Sequence, residues 1–194
     1  MKEYGMLILS WLIYLGLHSI LAANRVKQKM LAFVSRRVYR LLYSLISILG
    51  LLVLFLYAGT LDQTFLYKQT QALRYVGLVF ATYGIIIIRQ AFKQYSLKEF
   101  VGLAEEQKEQ SLQMSGILSK VRHPLYSGAI VLLIGYVLFS PKVTTLISVL
   151  CIFIYLPVGI RLEERKLIDL YGEAYRQYKA RVPMLIPRFW KSTE

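Results

Sequence analysis

Thiols, imidazoles and acids are all scarce in this chain. Its 194 residues include one cysteine, two histidines and eleven acidic side chains, against twenty-four lysines and arginines. A lone Cys151 allows neither an internal disulfide nor a thiolate metal site, and reads as a small buried hydrophobe. No zinc-ligand spacing occurs, so no metal is expected. Twelve glycines are present, yet none forms a Gly-x-Gly-x-x-Gly fingerprint, which leaves a soluble dinucleotide fold unsupported. The shortage of acids gives a formal charge of +13. Without an RNA-binding motif or a basic reader helix, nucleic acid is not the expected partner. Basic clusters beside anionic headgroups account for that charge. No internal repeat is evident.

Long apolar runs are what the chain has in abundance. Hydrophobic residues make up 56% of it, gathered in blocks that approach the ~20 residues needed to cross a bilayer. The segments 4–23, 38–60 and 72–89 meet that length. Segments 125–140 and 143–160 are shorter and parted only by Pro141-Lys142, a tight helical hairpin. The expected fold is all-α: one polytopic membrane domain over residues 1–194 with about five spans. The first block runs too long for a signal-peptide core and leads into a basic segment, so it reads as a retained helix.

Charge placement orients these spans. Arg25, Lys27, Lys29, Arg36 and Arg37 follow the first span with no acid among them. An excess of Lys and Arg marks the cytoplasmic side. The 24–37 loop, the 90–124 loop and the tail 161–194 then share that side, where a water-soluble cofactor is found. The 96–120 stretch mixes Lys98, Glu99, Glu105, Glu106, Lys108 and Glu109 as an exposed charged segment. A single apolar stripe at Leu167, Ile168, Leu170, Tyr171, Ala174, Tyr175 and Tyr178 predicts an amphipathic surface helix over 164–180. The proline-broken, aromatic end with Phe189 and Trp190 reads as an anchor or lid.

Chemistry concentrates in Lys120-Val121-Arg122-His123-Pro124-Leu125-Tyr126-Ser127-Gly128. Proline suits the first helical position and pushes its predecessor out of the α region. A helix therefore begins near Leu125, with Arg122 and His123 at its mouth. Some forty residues later comes Arg161-Leu162-Glu163-Glu164-Arg165, then Tyr171-Gly172-Glu173-Ala174-Tyr175 and Tyr178, then Arg181-Val182-Pro183 and Ile186-Pro187. Locally these are a juxtamembrane basic cluster and a set of ion pairs among Arg161, Glu163, Glu164, Arg165 and Lys166. A functional reading makes the carboxylates partners for an ammonium or ribose, and the cation or helix N-terminus a partner for a carboxylate.

In this order and spacing, residues 112–187 resemble the isoprenylcysteine carboxyl methyltransferase family, and more loosely the membrane phospholipid methyltransferases. The resemblance implies S-adenosylmethionine as cofactor. Its pocket would be lined by His123, Pro124, Leu125 and Tyr126, by Leu112, Gln113 and Leu118 of the preceding turn, and by Arg122, Glu163 and Glu164. Arg161 and Glu164 are the expected catalytic pair, Arg161 holding the acceptor and Glu164 facing the cofactor. The acceptor implied is a lipidated prenylcysteine arriving from the bilayer among membrane lipids. An α-carboxyl with a pKa of roughly 3.3–3.7 is already a nucleophile at neutral pH and needs no base. The implied location is a cell membrane in a prokaryote or the endoplasmic reticulum in a eukaryote, with the site on the cytoplasmic face.

Three other readings stay open. A phospholipid amine acceptor would need a base such as His123 or a glutamate. A sterol-type NADPH-dependent membrane reductase is similarly built, and a non-enzymatic transporter or scaffold would use its polar residues for gating or headgroups. His18, inside the first span, reads as a helix–helix hydrogen-bonder.

Overall fold

The computed structural model describes residues 2–61, 64–94, 96–104 and 111–187. Glu105, Glu106, Lys108 and Glu109 of the charged segment, and Phe189 and Trp190 of the expected anchor, lie outside the described residues. Those described form the helices α1 (Lys2–Ala22), α2 (Asn24–Met30), α3 (Arg36–Thr60), α4 (Gln71–Ala91), α5 (Leu97–Val101), α6 (Pro124–Phe139), α7 (Val143–Tyr171) and α8 (Glu173–Arg181). A 3-10 turn, Gly116–Ser119, precedes α6. This is an all-α polytopic membrane protein. Helices α1, α3, α4 and α7 are long and apolar enough to cross a bilayer, and α6 is a shorter apolar helix. At 1.5 Å per residue the sixteen residues of α6 reach about 24 Å, just under the hydrocarbon thickness.

Large apolar side chains cover the outer faces. Val53 is 60% exposed and Val79 67% exposed, an arrangement that hydrocarbon stabilises and water does not. Side chains pack tightly only where helices meet. Leu7, Trp11, Leu54 and Ala58 form one buried cluster, joined by the half-buried Cys151 of α7. Trp11 donates its indole N–H to Ser148 Oγ at 3.1 Å, tying α1 to α7.

Helices α4 and α6 lie antiparallel at backbone contact. A Cβ added at Gly84 would meet Leu132 N at 2.6 Å and Gly128 O at 2.7 Å; one at Gly135 would meet Gly77 O at 2.6 Å. Glycine at seven-residue spacing on both helices thus removes the side chains that would hold them apart, the usual means of close packing between membrane helices. This pairing fixes where α6 begins, and so where His123 sits.

The connections sort to two ends. At one end Leu66 N–H donates to Pro141 O, Val143 N–H to Thr64 O, and Tyr4 OH to Thr64 Oγ1. The side-chain amide of Gln69 caps the last carbonyls of α6 there. At the other end Lys166 Nζ donates to Ala22 O, closing the C-terminus of α1. The 24–35 segment, the turn before α6 and α8 gather at that second end, the grouping expected from the charges.

One boundary differs from the sequence reading. The helix that carries the fifth span does not stop near Ile160, nor is 164–180 a single helix. Helix α7 continues unbroken to Tyr171, and Gly172 at φ +57° starts α8 in a new direction. Nothing between Ile160 and Tyr171 breaks a helix, so the polar end of α7 projects beyond the apolar stretch. Glycine at 172 supplies the left-handed backbone that other residues avoid.

Candidate functional site

Three segments converge where α7 leaves the apolar layer. The mouth of α6 contributes Arg122 and His123, the projecting end of α7 contributes Glu163 and Glu164, and α8 contributes Tyr175, Tyr178 and Lys179. Proline at the first position of α6 leaves His123 outside the helical region, at φ −124° and ψ 64°.

Glu164 is the hub. It is 5% exposed, and its Oε1 accepts from Arg122 Nε at 3.0 Å and Nη2 at 2.9 Å. His123 Nε2 lies 3.3 Å from the same oxygen, and Lys179 Nζ donates to Oε2. Burial alone would raise this carboxyl's pKa. The bonds from Lys179, His123 and Arg122 outweigh it and hold Glu164 below its ordinary value. A charged Glu164 only accepts, so Nε2 of His123 carries the proton and Nδ1 of a neutral ring is left bare. That nitrogen is 3.8 Å from Glu163 Oε2, and the Glu163 side chain is 45% exposed. Tyr126, on the first turn of α6, lies beside His123 with ring centroids 5.6 Å apart, and burial foremost, then the charge of Glu163, raises its phenol's pKa.

A strap from the chain's end closes over this cluster. Arg122 N–H donates to Pro183 O at 2.9 Å, His123 N–H to Met184 O at 3.1 Å, and Ser127 Oγ to Leu185 O at 2.7 Å. Arg122 Nη1 also reaches Lys179 O at 2.8 Å and Val182 O at 2.5 Å. Helix α8 docks through its two buried tyrosines. Tyr178 donates to Leu118 O at 2.7 Å, and burial pushes its phenol up to about 12. Tyr175 is 1% exposed, and its hydroxyl has no hydrogen-bond partner.

The expected residues are brought together unevenly. Arg122, His123, Pro124, Tyr126, Glu163 and Glu164 meet at one place. Leu125 is half-buried on the first turn of α6, and Leu118 is buried with its carbonyl engaged by Tyr178. Leu112 is half-buried and Gln113 exposed, with no bond to the cluster. Arg161 is exposed on α7, away from Glu164. The local pairing of Arg161 with Glu164 is replaced by bonds to Arg122 and Lys179, which are distant in sequence. Sequence reasoning missed Lys179, read the segment from Pro183 to Trp190 that holds the strap only as an anchor or lid, and gave Tyr175 and Tyr178 only a place on the apolar stripe although both stand in the motif. No group of three metal-ligating side chains occurs among the described residues.

The model of the NnrU protein family matches residues 6–190. This chain belongs to the NnrU family. Its relatives include a methanethiol S-methyltransferase 1 of Bradyrhizobium diazoefficiens, 35% identical over 88% of this chain and 62% of that protein. A methanethiol S-methyltransferase of Crocosphaera subtropica is 26% identical over 99% of the chain and 80% of its own length. The protein-S-isoprenylcysteine O-methyltransferase of Schizosaccharomyces pombe is 33% identical over 43% of the chain and 36% of its own length. The chain therefore spans less than two thirds of the Bradyrhizobium relative. No solved structure matches. The motif resemblance and this NnrU membership agree: relatives of both kinds bear the names of methyltransferases.

Proposed function

We propose that this protein is an S-adenosylmethionine-dependent membrane methyltransferase whose acceptor is a small thiol. The observation that carries the reading is the His123 ring between two unlike carboxylates, one saturated and one half-open. Bound S-adenosylmethionine would supply an electrophilic methyl carbon on a sulfonium. The residues fit such a group: Glu163 is open to an ammonium or ribose, Arg122 and Lys179 add positive charge, and the Tyr175 hydroxyl is a buried donor without an acceptor.

A thiol differs from a carboxylate in needing to lose a proton, since its pKa lies near 8.5 rather than below 4. His123 suits that task. Glu164 holds Nε2–H and so fixes the tautomer, leaving Nδ1 to take the proton from S–H, while Glu163 stabilises the resulting imidazolium. With the donor bound, the thiolate would be the acceptor for its methyl group, the chain's own part being to hold His123 Nδ1 free for the thiol proton. Alignment of the two in a water-poor site can be worth on the order of 7–11 kcal/mol. The names of the relatives that cover most of the chain favour the thiol.

A second reading, methylation of a prenylcysteine carboxylate, is favoured by a groove of about 310 Å³ between α1 and α3. Its rim residues Ile13, Leu17 and Ile46 face outward, as a lateral path for a lipid chain would require. That reading needs a cation for the carboxylate, and Arg122 is already committed to Glu164 and two carbonyls. Radiolabelled methyl transfer in membranes decides the matter, with methanethiol, a prenylcysteine and phosphatidylethanolamine offered in parallel. Label in the thioether supports the thiol reading; label only in the ester or the lipid overturns it.

A further inference from the structure

We infer that the Tyr175 hydroxyl is a cofactor ligand, donating a hydrogen bond to the carboxylate of the methionine part of S-adenosylmethionine. The inference rests on the methyltransferase reading and assigns a residue that the motif resemblance leaves without a role. It comes from an accounting of the buried polar atoms around Glu164. Both Glu164 oxygens are taken, by Arg122, His123 and Lys179. Arg122 spends Nη1 on the carbonyls of Lys179 and Val182, and Tyr178 donates to Leu118 O. Tyr175 Oη alone in this cluster is buried without a partner.

Buried polar groups in folded proteins are almost always paired, and an unmet donor costs about 1–3 kcal/mol. A tyrosine used only for packing would be better replaced by phenylalanine. The other unmet atom among the described residues, Gln69 Oε1, lies at the opposite end of the molecule beside the cap of α6. It has no charged cluster around it.

The neighbouring charges bear on the kind of ligand. Glu164, Arg122 and Glu163 all act electrostatically on Tyr175. Burial foremost, then Glu164, hold its phenol above the ordinary value, so it stays protonated and donates. Arg122 is the cation in this set, and the methionine carboxylate shares its α-carbon with the ammonium, so the two would be held by neighbouring groups. Glu163 lies on the far side of His123, where the ammonium or ribose would be held. At 1% exposure the hydroxyl is reached when α8 or the strap shifts outward.

The test compares purified wild-type protein with Tyr175→Phe in detergent, by calorimetry. The ligands are S-adenosylmethionine and its decarboxylated analogue, which lacks only the carboxylate. Wild type should prefer the complete cofactor. Tyr175→Phe should shrink that preference by about 10-fold or more, the low end for a hydrogen bond to a charged group. Affinity for the decarboxylated analogue should not change. Without ligand, Tyr175→Phe should melt no lower than wild type, because the hydroxyl it removes bonds nothing. An unchanged preference overturns the inference while leaving the methyltransferase reading intact. So does an equal loss for both ligands, or a lower melting temperature without ligand. Failure of wild type to bind either ligand overturns the methyltransferase reading and this inference with it.

Discussion

Two polar clusters lie in this protein, and they are built to opposite plans. The first joins α1 to α3 within the apolar layer. His18 has Ser47 Oγ 3.0 Å from Nδ1 and the Tyr43 hydroxyl 3.0 Å from Nε2. Tyr14 donates to Ser47 O at 2.9 Å, and Ser19 pairs with Tyr155 at 2.7 Å. Every one of these groups has a partner, none is an acid or a lysine, and the partners sit on neighbouring helices. The second cluster, around Glu164, mixes both signs of charge, draws on three segments and a strap, and leaves Tyr175 unmet. A closed neutral network rigidifies a bundle; a charged one with an open donor and a half-open carboxylate is arranged to receive something. Both contain one of the chain's two histidines, so residue type alone does not distinguish them. The completeness of the hydrogen bonding does.

The largest difference should appear on removing the hub. Glu164→Ala leaves the buried Arg122 guanidinium without its carboxylate, a change of about 3–5 kcal/mol when such a pair is broken. Lys179 adds little to that figure, since its side chain is 43% exposed. We expect methyl transfer and cofactor binding to be lost, and the strap to become sensitive to protease while the α1–α3 unit stays resistant. Acid should act on the same group. The pKa of Glu164 is lower folded than unfolded, so its stabilisation is complete above the ordinary value of 4.5 and fades as pH falls through the folded value. An acid limb that is unchanged in Glu164→Ala would show that the hub contributes nothing to it.

A smaller effect is expected in the closed cluster. His18→Phe keeps the ring and removes two interhelical hydrogen bonds, each worth roughly 0.6 kcal/mol on average in a membrane. Thermal unfolding in detergent should show a loss of about 1 kcal/mol, with the dissociation constant for S-adenosylmethionine unchanged. A weakened cofactor with normal stability would erase the contrast between the clusters and make His18 part of the site.

The helices were easier to read than the site, for physical reasons. A bilayer demands long apolar runs, and charge sorts the loops, so the apolar helices and the grouping of their connections are visible in composition alone. The mouth of α6 was equally legible, because His123-Pro124 constrains the backbone locally. The stop of α7 was not. It depends on the left-handed turn at Gly172, while the apolar stripe continues past it through Tyr175 and Tyr178 and mimics a single helix. The partners of Glu164 were hidden for a related reason. Arg122 is forty-two residues away and Lys179 fifteen, across that turn, whereas local spacing favoured Arg161. The glycines of α4 and α6 carry no chemistry, and their effect is seen only when the two backbones touch.

Arg161 gives the finest test of the contrast, and the smallest expected effect. It stands three residues before Glu164 on the same helix, yet faces outward while Glu164 is buried. If the site works on a thiol, nothing in the reaction asks for a cation at Arg161. Arg161→Ala should then leave the cofactor dissociation constant unchanged and turnover within about twofold, a difference of roughly 0.4 kcal/mol in the barrier. The alternative makes a distinct demand. A prenylcysteine carboxylate must be held by a positive group, and an exposed arginine where α7 leaves its apolar stretch is placed to reach an acceptor lying in the headgroup layer. Loss of a charged hydrogen bond there, about 1.5–3 kcal/mol, would lower turnover by 10-fold or more with cofactor binding intact. That outcome would transfer Arg161 from the outer surface to the acceptor side of the site, and the acceptor from a thiol to a carboxylate.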